Sequence, residues 1–239
     1  MRLTYDAVSH CGLVRPGNED AILVGNMILR DSADTFSFEI PSDGVIFPAL
    51  VCDGVGGNSR GEEASMMACG HFKTFVEKLE LGLDDDSLIR QIKQTFADCN
   101  REIIEASNGC GMATTLTGLL VYGHKAFILN AGDSRTYRLR YGNLKQLTHG
   151  HTAEHDGRRI ITNCLGLPVV TLDIAISAIV PGDTFLICSD GLFDMLDEAT
   201  ISANITSSQT LLNLALSAGG ADNTSLILIN IKDRTVTDS

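Results

Sequence analysis

Five aspartates share one kind of placement in this sequence. Asp20 precedes an apolar run, Asp53 ends one, Asp133 follows one, Asp190 ends one, and Asp222 precedes the last. Three of them adjoin glycine, as Asp53-Gly54, Gly132-Asp133 and Asp190-Gly191. Any one alone is adequately explained as a turn residue, because Asp and Gly turn chains at strand ends. Five such positions, which a stacked antiparallel architecture can bring to one edge, point instead to a metal site built from carboxylates. Carboxylates, a backbone carbonyl and water suit Mg²⁺ or Mn²⁺, not zinc or copper. The sharpest instance is Ala49-Leu50-Val51-Cys52-Asp53-Gly54-Val55-Gly56-Gly57, a buried strand that ends in an acid and glycines. There an acid and a bare carbonyl can meet one hard cation.

The elements that must position these acids follow from periodicity. Leu3 to Val8, Ala21 to Leu29 and the run ending at Cys52 have strand character, with Pro48 arguing for a late start to the last of these. Asp31 to Gly44 is expected to be a polar insertion, a surface loop or a mobile hairpin. Arg60 to Leu79 has helical spacing, with Ala64, Ala68, Phe72, Phe75, Val76 and Leu79 on one side. A second helix runs from about Asp86 to Ala106 on the stripe Ile89, Ile92, Phe96, Cys99, Ile103 and Ala106, with acids at its start. Short strands follow at Thr114 to Tyr122, Lys125 to Asn130, Ser134 to Arg140 and Leu144 to Leu147, then at Thr171 to Ser177 and Thr184 to Cys188. Helices near Asp197 to Ile205 and Gln209 to Ala218 precede a last strand, Thr224 to Ile231. Helices set between antiparallel hairpins indicate α+β layers, not a parallel βαβ fold.

Composition narrows the function. Of 239 residues, 30 are acidic and 18 basic, giving a net charge of -12, which argues against nucleic acid or an anionic membrane as the main partner. Seven scattered cysteines without a Cys-x-x-Cys pair fit free thiols in a reducing compartment. With no signal-peptide core and no apolar run of membrane-spanning length, the expected location is the cytoplasm. Residues 1–232 are expected to form one domain and 233–239 a polar tail.

The segments Gly12-Leu13-Val14-Arg15-Pro16-Gly17-Asn18-Glu19-Asp20, Asp53-Gly54-Val55-Gly56-Gly57 and Gly111-Met112-Ala113-Thr114-Thr115-Leu116 occur in that order. Gly132-Asp133-Ser134-Arg135, Leu147-Thr148, Ser189-Asp190-Gly191-Leu192 and Asp222-Asn223-Thr224 complete the series. In these the chain resembles the bacterial-type metal-dependent protein serine/threonine phosphatases, the PPM or protein phosphatase 2C family. The resemblance implies a four-layer αββα sandwich of two antiparallel sheets flanked by helices, with two Mn²⁺ or Mg²⁺ ions at one end. It implies that Asp53 bridges the ions and the Gly54 carbonyl ligates one of them. Asp190 and Asp222 would complete the other shell, and Asp20 would bind through water, with Glu19 a weaker candidate. Asp133 and Asp194 match the acids of a third, looser metal site, and Arg15 matches the arginine that holds the substrate phosphate. The implied partners are proteins phosphorylated on Ser or Thr and an opposing Ser/Thr kinase; the expected state is a monomer.

Several positions depart from the pattern. Val55 stands where animal and plant members carry a histidine proposed as general acid, so water would protonate the leaving oxygen. Ala113 replaces a glycine, and Gly150 replaces the aspartate expected after Leu-Thr-x. Only residues 152–162 separate His151 from Asn163-Cys164-Leu165-Gly166, so the flap beside the active site is expected to be severely shortened. His149, His151 and His155 are expected to lie in a solvated loop. Cys11 and Arg15 have three residues between them where the cysteine-phosphatase loop needs five, and Gly54 to Gly61 matches neither phosphate-loop spacing. The alternative to an active phosphatase is a weak or inactive family member serving as a regulatory binding module.

Overall fold

The computed structural model describes residues 1–55 and 60–233. The chain opens with β1 (Arg2–His10), the short hairpin β2 (Ala21–Val24) and β3 (Met27–Leu29), and β4 (Ala33–Glu39). After β5 (Val45–Cys52) and β6 (Gly54–Val55) come α1 (Gly61–Glu77) and α2 (Asp85–Ser107). The middle of the chain holds β7 (Ala113–Thr114), β8 (Leu116–Gly123), β9 (Lys125–Ala131), β10 (Arg135–Arg140) and β11 (Asn143–Gln146). Next are β12 (Thr152–His155), β13 (Arg158–Ile161), β14 (Asp173–Ala178) and β15 (Thr184–Cys188). The last elements are α3 (Asp190–Phe193), α4 (Glu198–Asn204), α5 (Ser208–Ser217) and β16 (Thr224–Lys232).

Two six-stranded antiparallel sheets form, in the orders β11-β10-β15-β16-β1-β4 and β14-β9-β8-β5-β2-β3. Alternation along each central strand explains why they stack. In β5, Phe47, Ala49 and Val51 enter the layer between the sheets, while Leu50 and Cys52 face α1 and α2. In β16, Ile227, Ile229 and Ile231 point between the sheets, and Leu226 and Leu228 meet α3, α4 and α5. Both faces of these strands are buried, so they read as nearly continuous apolar runs. The period-2 geometry then divides one run between two cores. The result is the expected αββα sandwich. Among the described residues no helix is long and apolar enough to cross a membrane.

Three local expectations change. Ala21 to Leu29 is a tight hairpin, not one strand, with Gly25 at positive φ in its turn. The polar stretch after Asp31 contains β4, which adds to the free edge of β1 and packs Phe38 against Phe47, with ring centroids 5.5 Å apart. Strand β5 also runs straight through Pro48. A strand residue directs its N and C=O to the same side, and the Pro48 carbonyl accepts from Gly25 N at 2.9 Å, at the turn of the neighbouring hairpin. The missing proline donor therefore leaves no ladder bond unmade.

Candidate metal centre

Register places the acids. Ala21 of β2 opposes Cys52 of β5, so Asp20 and Asp53 emerge at the same sheet edge. In the other sheet His10 opposes Thr224 and Cys188 opposes Leu226, which brings the loop bearing Arg15, the start of α3 and Asp222 to that end as well. Asp133 follows β9, whose Ala131 opposes Leu116 at the start of β8. Asp190 is the first residue of α3, not the end of a strand as expected.

The backbone around these acids is tightly fixed. Asp53 N donates to Thr115 Oγ1 at 3.0 Å, and its carbonyl accepts from Thr115 N at 2.8 Å and Thr114 Oγ1 at 3.0 Å. Asn223 accepts from Glu19 N at 2.8 Å and donates to the Cys11 and Gly17 carbonyls, both at 2.9 Å, so it laces the Arg15 loop to β16. Gly54 is required sterically: a Cβ there would stand 2.5 Å from the Gly61 carbonyl carbon and 2.7 Å from the Glu19 carbonyl oxygen. Gly191 is equally confined, since a Cβ on it would stand 2.0 Å from the Asn223 carbonyl oxygen.

Electrostatics show what this end of the sandwich lacks. Burial, and then the charges of Asp20, Asp190, Asp133 and Asp222, hold the Asp53 carboxyl well above the ordinary carboxylate range. Burial likewise lifts Asp20 to about 6, although its hydrogen bond from Ser189 opposes the rise. Asp190 is raised to about 7 by burial and by Asp133, Asp222 and Asp194. Ser189 Oγ donates to Asp20 Oδ2 at 2.8 Å, but Asp20 Oδ1 and Asp133 Oδ1 are buried with no partner. Buried acceptors without donors, on acids that repel one another, form a donor set suited to hard cations. The residues present fit Mg²⁺ or Mn²⁺. As placed, no three His, Cys, Asp or Glu side chains among the described residues converge on one point, and two arginines pair with acids of this end.

Arg15 is one of these. Its Nη2 donates to Asp222 Oδ2 at 2.6 Å, which turns the guanidinium over a cavity of about 150 Å³ lined also by Asp53, Gly54, Val55 and Asp190. Larger hollows exist, such as one of about 630 Å³ between α1 and α2, but that hollow contains none of the converging aspartates.

The second arginine, Arg159, carries no signal in the sequence. It lies on the β12–β13 hairpin, in the segment where a shortened flap was expected, and grips Asp194 with both Nη atoms at 3.0 and 2.9 Å. It also stands 3.2 Å from Asp190 and 3.4 Å from Asp133. Ile161 of the same hairpin lines the cavity. A largely exposed hairpin gives no local hint of such a contact. Removing this counter-charge by Arg159→Ala is expected to lower metal-free stability by about 1 kcal/mol, some 2–4 °C in Tm. Mn²⁺ should then raise Tm more in the variant than in the wild type, as thermal unfolding with and without Mn²⁺ would show.

The histidines separate. His149 is exposed in a loop, as expected, whereas His155 is exposed but ends strand β12, where a loop was expected. His151 is half-buried and held in place: its Nδ1 accepts from Gly132 N at 3.1 Å, and its Nε2 lies 3.0 Å from Asp173 Oδ2. The half-buried Cys11 carries no phosphatase-loop geometry, and Gly56 and Gly57 lie outside the described residues.

The chain is similar to known proteins in both sequence and fold. A family model described as protein phosphatase 2C matches residues 29–218. The serine/threonine protein phosphatase PstP of Mycobacterium tuberculosis is 28% identical over 256 aligned positions, covering 97% of this chain and 45% of its own length. The serine/threonine phosphatase stp of Listeria monocytogenes is 29% identical over 208 positions, 75% of this chain and 82% of its own. The chain thus spans about half the length of the mycobacterial relative. Among solved structures, the PstP crystal structure superposes with a TM-score of 0.80 at 27% identity, covering 98% of this chain and 100% of that one. The PstP catalytic domain in complex with two manganese ions gives a TM-score of 0.79 at 27% identity over the same shares.

Proposed function

This chain belongs to the protein phosphatase 2C family, and we propose on that premise that residues 1–232 form one phosphatase domain hydrolysing phosphoserine and phosphothreonine on proteins. The observation that carries the reading is the gathering of Asp20, Asp53, Asp133, Asp190 and Asp222 at one end of the sandwich beside Arg15. Asp53, the Gly54 carbonyl, Asp190 and Asp222 would hold two Mn²⁺ or Mg²⁺ ions, with Asp20 acting through water and Glu19 beside it. Asp133 and Asp194 would hold a third, at the position where Arg159 now neutralises them. The PstP catalytic domain was solved with two manganese ions, which supports the two-ion count for this chain. Such a pair would supply hydroxide near neutral pH by lowering the pKa of bound water.

The residues of the chain do the rest. Arg15 presents a planar guanidinium to the phosphoryl oxygens, held in orientation by Asp222, and offsets charge as it builds in the transition state. No side-chain nucleophile is required. Val55 lines the cavity and offers no proton, so the leaving serine or threonine oxygen takes its proton from water. Ile161 narrows the entrance from the hairpin side. The reading extends to action as a monomer against a Ser/Thr kinase in the cytoplasm, in keeping with seven unpaired cysteines, five of them buried.

The deciding experiment is hydrolysis of a phosphothreonine peptide in EDTA, Mg²⁺ or Mn²⁺. Turnover only with metal supports the reading. A folded protein inactive with every metal would favour a binding module. Arg15→Ala is expected to lower kcat/KM about 10- to 100-fold, the worth of one charge-assisted contact to phosphate. Steady-state kinetics at saturating Mn²⁺ would measure it, and an unchanged value would remove Arg15 from the substrate site.

A further inference from the structure

Arg30 closes β3 and turns inward. Its Nε donates to the Asp20 carbonyl at 2.8 Å, and its Nη2 donates to the Glu62 carbonyl and to Ser65 Oγ, both at 2.8 Å. Ser65 Oγ in turn donates to the Glu19 carbonyl at 2.6 Å. One guanidinium therefore joins the strand entrance that carries Asp20 to the first turn of α1. That turn is also the surface against which Gly54 is pressed, since a Cβ on Gly61 would lie 2.9 Å from the Gly54 carbonyl carbon.

The neighbouring residue continues the clamp. Asp31 has φ 47, a left-handed conformation that costs a non-glycine residue energy. In that conformation its Oδ1 accepts from Asn18 Nδ2 at 3.0 Å, and Asn18 Oδ1 accepts from Asp20 N at 3.0 Å. Both peptide groups of Asp20 are thus engaged, its C=O directly by Arg30 and its N–H through Asn18 and Asp31. The carboxylate they carry is fully buried, with Oδ2 on Ser189 and Oδ1 free.

We propose that Arg30 is a positioning residue for the metal centre: it holds Asp20 and the Gly54 face of α1 in the register that a divalent ion needs, touching neither ion nor substrate. This rests on the metal-dependent reading above. Three acceptors in different directions need the rigid fork of arginine; a lysine ammonium keeps the charge but not the geometry. Groups behind a metal ligand that fix its orientation typically contribute 10- to 100-fold in metal affinity.

The test is calorimetric titration of Mn²⁺ into the full chain as wild type, Arg30→Lys and Ser65→Ala. Arg30→Lys is expected to raise the Mn²⁺ Kd about 10- to 100-fold. Ser65→Ala, which removes one of the three acceptors, is expected to raise it less. The KM for a phosphothreonine peptide at saturating Mn²⁺ should stay within about twofold, because Arg30 acts on the ion's site and not on the substrate. A purely structural role would lower Tm in EDTA and leave the Kd alone, so a Kd for Arg30→Lys within about twofold of wild type overturns the proposal. A wild-type protein that takes up no Mn²⁺ overturns the metal reading and the proposal together.

Discussion

Asp53→Asn leaves the protein folded and stops turnover, with kcat expected to fall on the order of 10³-fold or more, equivalent to about 4 kcal/mol of transition-state stabilisation. The substitution keeps the shape of the side chain and removes one negative charge at the centre of the acid group. In the metal-free protein that charge is a liability, because Asp53 is buried against Asp20, Asp190, Asp133 and Asp222. Taking it away relieves repulsion, so the Tm of the variant in EDTA should equal or exceed that of the wild type. With Mn²⁺ present the order should reverse, since the wild type gains a ligand-linked increase that the variant lacks. Lost activity together with undiminished metal-free stability is a signature that general unfolding cannot imitate. Turnover of a phosphothreonine peptide within about tenfold of wild type would remove Asp53 from the bridging role.

Metal-free protein is expected to lose stability as pH rises from about 5 to about 8. The sign follows from the raised carboxyls: Asp20 at about 6, Asp190 at about 7, and Asp53 held well above the ordinary range. Between the unfolded value near 4 and these folded values, the native chain binds more protons than the unfolded chain, so the free energy of unfolding falls with pH. Below pH 4 both states are protonated and the penalty is absent. Above the folded values it is complete. A shift of about two units, as at Asp20, corresponds to roughly 2–3 kcal/mol, or on the order of 5–10 °C in Tm for a chain of this size. Divalent ions should abolish most of this slope, because they favour the ionised carboxylates and bind only the folded site. Thermal unfolding at pH 5, 6.5 and 8, in EDTA and in Mg²⁺, tests both halves. A metal-free Tm that is flat or rises across this interval would contradict the mutual repulsion described for the site.

Much of this protein was legible in its sequence, for a physical reason. Strands buried on both faces must be apolar throughout, and the helices that cover them must carry a stripe, as in Ile92, Phe96, Cys99 and Ile103 of α2. Acids at strand ends were also visible, because a strand end is a local feature and antiparallel order sends alternate ends to the same edge. Asp20, Asp53, Asp133, Asp190 and Asp222 needed only that rule to be grouped.

What the sequence could not supply depends on contacts between distant residues. Nothing local distinguishes the polar stretch after Asp31 from a loop; it becomes β4 only because the free edge of β1 offers it a ladder. Pro48 is tolerated within β5 only because the neighbouring hairpin has already turned at Gly25. Arg159 looks like one exposed arginine among several until the hairpin folds it onto Asp133, Asp190 and Asp194, 26 to 35 positions away in the chain. Arg30 likewise gains its meaning from the Asp20 carbonyl and the first turn of α1. The amino-acid order therefore determined the layers and the identity of the acids, since burial and strand ends are properties of short segments. Tertiary structure alone decided which cations hold those acids, because a long side chain's partner is chosen by the surfaces that folding brings within its reach.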